Sequence, residues 1–115
     1  MKETETTRQL KVASLLIKEF SDMFLRDGKN FSPTGMITVT KIRVTPDLQI
    51  ARVYLSLYGI ANRQEIIKLL NDSKSEFRYK LGTRIKSQLR NVPHIEFYLD
   101  DSLDYLENIE RLLKK

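Results

Sequence analysis

Apolar residues recur along this chain with two periods, and the switches between them mark its elements. Thr6 and Gln9 have capping-box spacing, and the helix they open carries Leu10, Ala13, Leu16, Ile17, Phe20 and Phe24 on one side. Asp27-Gly28 ends it, with Gly28 suited to a left-handed C-cap. From Met36 to Thr45 the residues are mostly Ile, Val and Thr, which fit a pleated strand. Thr45-Pro46-Asp47 is a turn, because proline presets φ and Asp bonds nearby backbone. A second strand from Leu48 to Leu57 points Ala51, Val53, Leu55 and Leu57 one way and Ile50, Arg52 and Tyr54 the other. Pairing the two as a hairpin predicts Thr40, Ile42 and Val44 on the core face, with Lys41, Arg43, Arg52 and Tyr54 outside.

The helical period then returns. Asn62 and Glu65 form a second capping-box pair, opening a short helix with Ile66, Ile67 and Leu70 inward. Asn71-Asp72-Ser73 are poor helix formers, so a break is predicted near Ser73 to Ser75, where Ser73 and Glu76 can cap a new helix. Phe77, Leu81, Ile85 and Leu89 fall within about one third of that helix's circumference. Pro93 stops it, and Ile95, Phe97 and Leu99 alternate as a third strand. Asp100-Asp101-Ser102 caps a last helix with Leu103, Leu106, Ile109 and Leu113 buried. The order is α-β-β-α-α-β-α, with no internal repeat or low-complexity tract.

Charge changes this picture more than composition does. At 115 residues, 41% hydrophobic and 30% charged, the chain reads as one soluble globular domain. There is no cysteine for a disulfide or thiolate site, no signal-like apolar segment, and no apolar run of membrane-spanning length. A cytoplasmic address follows as the expectation. The formal charge is +5, and the stretch from Lys74 to Arg90 holds six cations against one carboxylate, Glu76. The rest of the chain is close to neutral. Lys80, Arg84, Lys86 and Arg90 lie on the arc opposite the apolar stripe, with Lys74 and Arg78 at its margins. A face serving only solubility mixes signs, so this ridge points to a polyanionic partner, most simply RNA. Arg8, Lys11 and Lys18 lie off the apolar stripe of the first helix and extend the basic surface.

Other chemistry is thinner. Asp100, Asp101 and Asp104 have the makings of a Mg²⁺ site, but capping a helix start accounts for them more simply. His94, the only histidine, faces outward beside Glu96 and reads as a surface residue rather than a base. No nucleophile–base pair, phosphate-cradling loop or metal spacing stands out, so no catalytic residue, metal or cofactor is expected. Lys41, Arg43, Arg52, Tyr54 and Tyr98 offer a rival outer-sheet surface for single-stranded RNA, set against the plainer account of a solvated sheet.

The element order, without its last helix, matches a type II KH domain, and two segments take the match further. Ile37 to Leu48, ITVTKIRVTPDL, followed by Ala51, Val53 and Tyr54, resembles the first hairpin of the ribosome-binding factor A family. Leu89 to Phe97, LRNVPHIEF, running into Asp100-Asp101-Ser102, is similar to that family's later strand motif. The resemblance covers most of residues 8–113. It implies an α+β fold: a single type II KH-like domain over 1–115, with a core of about 6–113 and a three-stranded sheet carrying helices on one face. It also implies a non-enzymatic assembly factor that binds immature 30S particles. Such a factor assists 5′-end maturation of 16S ribosomal RNA, notably in the cold. The implied partners are the small ribosomal subunit, 16S rRNA and its precursor, with the protein acting as a monomer away from membranes. A general single-stranded-RNA-binding KH-like protein and a protein-interaction module of ribosome assembly are the alternatives. The chain lacks the GxxG clamp of single-strand-binding KH domains, its glycines being the scattered Gly28, Gly35, Gly59 and Gly82. It also has Ser73-Lys74-Ser75 where the family places an Ala-x-Gly kink.

Overall fold

A computed structural model describes residues 5–100. The first helix, α1 (Thr7–Asp27), opens with the predicted capping box. Thr6 Oγ1 accepts from Gln9 N at 3.1 Å, and Thr6 N donates to Gln9 Oε1 at 2.8 Å. Gln9 does more than cap, since its buried Nε2 donates to the Val44 carbonyl at 2.8 Å. The buried side of α1 is Val12, Ala13, Leu16, Phe20, Met23 and Phe24. That face is rotated from the sequence-based stripe: Leu10 is exposed and Ile17 only half-buried, because the Gln9 bond turns the Gln9 and Val12 side toward the sheet. Gly28 is not a left-handed cap. With φ −57° it continues into a 3-10 turn, Gly28–Asn30.

The hairpin pairs β1 (Met36–Val44) with β2 (Ile50–Tyr58). Its register shifts between Val39 and Lys41, so Thr40 sits in a β-bulge. The bulge corrects the predicted core face: Ile37 and Val39 point inward before it, Ile42 and Val44 after it. Thr40 is instead half-buried, its hydroxyl donating to Asp100 Oδ2 at 2.6 Å. At the turn, Asp47 Oδ1 accepts from Thr45 Oγ1 at 2.7 Å and Gln49 N at 3.1 Å. Leu48, expected to begin the strand, is left-handed at φ 60°, so β2 starts two residues later.

The next helix, α2 (Arg63–Asp72), buries Ile66, Ile67 and Leu70 as predicted. Asn62 makes no side-chain cap bond: its ψ of 57° is off the extended conformation that aims a capping side chain at the first turn. The break before α3 (Lys74–Ile85) falls at one residue, Ser73, with φ −102° and ψ 11°. Its N–H donates to Leu69 and Leu70 carbonyls, and its own carbonyl accepts from Glu76 N and Phe77 N. Ser73 makes no side-chain cap bond, so the backbone alone satisfies the kink in a bridge-region conformation without positive φ.

The third strand, β3 (His94–Leu99), runs parallel to β2, giving sheet order β1-β2-β3. Asn71 covers its free edge, donating from Nδ2 to Phe97 O at 3.0 Å and accepting from Phe97 N at 2.9 Å. All three described helices pack on one sheet face. There Phe77 sits 5.1 Å from Phe97 and 5.4 Å from both Phe24 and Phe31, ring centroid to centroid. This is the KH-like α+β fold, α-β-β-α-α-β. The expected last helix, with Leu103, Leu106, Ile109 and Leu113, lies outside the described residues.

Candidate nucleic-acid interface

The predicted ridge of Lys80, Arg84, Lys86 and Arg90 does not form one open row. Arg84 is half-buried against α1, with Nη1 on Glu19 Oε1 at 2.9 Å and Nη2 on Asp22 Oδ2 at 2.7 Å. These bonds hold the Asp22 carboxyl below its ordinary range and raise the guanidinium further. Lys80 Nζ is 3.7 Å from Asp27 Oδ2. Two cations of the ridge are thus drawn into a clasp between α3 and α1, which the helical wheel of α3 alone could not show.

The helix also ends earlier than Pro93 implied. It stops at Ile85, and the chain folds back over α3, stapled by Arg78. Arg78 Nη2 donates to Val92 O at 2.8 Å, and Nε lies 3.3 Å from both Val92 O and Pro93 O. Gly82 makes the close approach possible, since a Cβ there would stand 3.3 Å from Val92 Cγ2. Leu89 still packs on the core from this returning segment.

The fold-back creates a cleft of about 590 Å³ lined by Arg78, Tyr79, Gly82, Lys86, Arg90 and Asn91, among others. Lys86, Arg90 and Lys74 are exposed, and no carboxylate forms an ion pair with them among the described residues. Arg78 spends its donors on carbonyls, so its charge stays uncompensated. A second hollow, holding Lys74, His94 and Glu96, shares Ser75 and Arg78 with the first. The first runs along α3 from Ser75 to Lys86, and the second meets it at the first turns of that helix. Together they form a polar surface suited to phosphate groups, with one aromatic ring, Tyr79, 76% exposed beside it.

A family model described as ribosome-binding factor A matches residues 8–113. Proteins named ribosome-binding factor A from Christiangramia forsetii and Cytophaga hutchinsonii are 40% and 39% identical over 111 residues. Each alignment takes in 96% of this chain, and 85% and 84% of the respective relative. This chain belongs to the ribosome-binding factor A family. Solved structures agree on the fold. The crystal structure of the Thermus thermophilus factor aligns with TM-score 0.62 at 18% identity, covering 79% of this chain and 94% of that one. A Thermus thermophilus RbfA homology model fitted into the cryo-EM map of a 30S–RbfA complex aligns with TM-score 0.58 at 17% identity, covering 76% and 93%.

In this family member the remaining basic residues lie apart from the cleft. Arg8, Lys11 and Lys18 are exposed on α1, and Lys18 borders a depression shared with Glu19, Asp22 and Arg84, where acids sit beside it. Of the acidic trio, Asp100 is described, and its carboxylate accepts from Thr40. Asp101 and Asp104 lie outside the described residues. Among the described residues no three His, Cys, Asp or Glu side chains gather as a metal site, and no helix is long and apolar enough to cross a membrane. Tyr79, Gly82, Thr83 and Asn91 are cleft residues that sequence reasoning missed. The one signal for them was Tyr79, an aromatic residue off the apolar stripe.

Proposed function

We propose that this protein binds the small ribosomal subunit as a monomeric cytoplasmic assembly factor, setting the cleft between α3 and the returning segment against folded 16S ribosomal RNA. Lys74, Arg78, Lys86 and Arg90 contact phosphates, and the protein supports 5′-end maturation of the 16S precursor, with the greatest need in the cold. The observation that carries this reading is the set of cations around the cleft without carboxylate partners, in a chain whose relatives are named for ribosome binding. The 30S–RbfA complex of the Thermus factor supports the choice of subunit. Recognition is by shape and backbone, because the deep, narrow major groove of A-form RNA keeps its base edges from side chains. The protein does no chemistry on the RNA; it holds a conformation.

The decisive experiment is cosedimentation of a Lys86→Glu/Arg90→Glu variant from cold-grown cells. The natural protein is expected with free small subunits rather than intact ribosomes. The variant is expected at the top of the gradient, with an unchanged melting temperature. Undiminished occupancy of small subunits by the folded variant would overturn the assignment of the cleft.

A further inference from the structure

The open face of the sheet, away from the helices, carries a second constellation that the cleft does not use. Strand register lines its residues up in rows. Lys41 pairs with Tyr54, and Tyr54 with Tyr98; in the next row Arg43 pairs with Arg52, and Arg52 with Glu96. The bulge at Thr40 makes this possible, letting Lys41 and Arg43 point outward while Val39 and Ile42 both point inward.

Within the first row the geometry is already stacked. The Tyr54 and Tyr98 rings lie 5.4 Å apart at an interplanar angle of 25°, and Lys41 Nζ is 4.8 Å from the Tyr54 ring centre. Glu96 fixes the stack from one side, its Oε1 accepting from Tyr98 O–H at 2.8 Å and from Arg52 Nε at 3.3 Å. That hydrogen bond also raises the Tyr98 pKa. Tyr98 remains 41% exposed. Lys41 and Arg43 are exposed and form no ion pair among the described residues.

A sheet face serving only cross-strand stability would set opposite charges against each other. Here Glu96 answers Arg52 on one side, but Arg43 stands across from Arg52 on the other, a cation with no carboxylate of its own among the described residues. An anion over that row would give Arg43 a partner. An acidic peptide would satisfy the cations but leave the tyrosine row without a role. A duplex would present phosphates but keep its bases stacked inside. Unpaired RNA supplies both parts, a base to continue the Tyr54–Tyr98 stack and phosphates for Lys41 and Arg43. We propose that this sheet face is a second RNA-binding surface, taking one or two unpaired nucleotides. The protein then holds a single strand on its sheet face and folded RNA at its helical cleft.

Two probes on the full chain separate this surface from the cleft: a mixed-sequence single-stranded RNA octamer, and an RNA hairpin without overhangs. With no tryptophan present, tyrosine emission reports stacking directly. Tyr98→Leu is expected to weaken octamer binding by about 5- to 100-fold, the range for losing one base–aromatic stack, and to reduce octamer-induced quenching. Tyr98→Phe keeps the ring and is expected to restore the affinity, though not the share of quenching that comes from Tyr98 itself. In the Lys86→Glu/Arg90→Glu protein hairpin binding falls, while the Tyr98-dependent part of octamer binding persists. Unchanged octamer affinity in a folded Tyr98→Leu variant would overturn the proposal. So would equal competition by polyglutamate, which carries charge without rings. Failure of the natural protein to bind the hairpin, with octamer binding intact, would count against the cleft alone.

Discussion

Two cations close together in sequence, Arg84 near the end of α3 and Arg90 past it, meet opposite fates. Arg84 is closed between Glu19 and Asp22, half-buried, and its charge serves to join α3 to α1. Arg90 stands on the returning segment, exposed at the cleft with no carboxylate partner among the described residues. The same formal charge supports folding in one place and remains available to a ligand in the other. What separates them is the neighbouring element: α1 brings acids to Arg84, whereas the returning segment sets Arg90 in a cleft with Arg78, Lys86 and Asn91.

Substitutions separate the two roles. The largest effect is expected where both regions share a support. Phe77 packs on Phe20, Phe24, Phe31 and Phe97, so Phe77→Ala should cost about 3–5 kcal/mol in urea unfolding. It should weaken the clasp and the cleft together; a variant that keeps full RNA affinity near its melting point would show the cleft does not depend on the core. Next comes Lys86→Glu/Arg90→Glu. Its RNA affinity should fall steeply, and the log–log salt slope should drop by roughly 0.7–0.9 for each phosphate the protein no longer neutralises, with stability unchanged. A slope equal to that of the natural protein would mean these cations never meet phosphate.

Arg84→Met should behave in the reverse manner. It should cost about 1 kcal/mol of stability, since these charged hydrogen bonds are partly open to solvent, and leave the salt slope untouched. A lowered slope would reveal that the clasp opens to RNA. The smallest effect concerns pH. Asp22 is held below its ordinary pKa of 3.8, chiefly by its hydrogen bond from Arg84. A carboxyl whose folded pKa is depressed stabilises fully above the unfolded value and loses that contribution as pH falls through the folded one. Acid melts below about pH 4 should therefore fall less steeply for Asp22→Asn than for the natural protein. Identical acid limbs would place the clasp's strength on Glu19 instead.

Much of this molecule is legible in its pattern of apolar residues. The stripe of Phe77, Leu81 and Ile85, the alternation of Ala51, Val53, Leu55 and Leu57, and the Thr6–Gln9 box all appear where periodicity and capping rules place them. The misses are local signals that the folded backbone does not follow. Asn62 has capping spacing but the wrong ψ, and Gly28 has the residue type of a left-handed cap but stays helical. Asn71 looks like a weak helix former, yet its amide pairs with β3 like an added strand. Thr40 fits the β period and still becomes the bulge.

Residue periodicity and motifs close together along the chain suffice for the element order through β3, the break at Ser73, the buried sides of β2, α2 and α3, and the family. Which cations are spent and which are available depends on contacts between distant segments. An ion pair such as Arg84 with Glu19 joins residues 65 apart in sequence, and nothing in the spacing of either helix announces it. The tyrosine row on the sheet likewise depends on a one-residue bulge and on the parallel register of β3 against β2, both set when the strands pair.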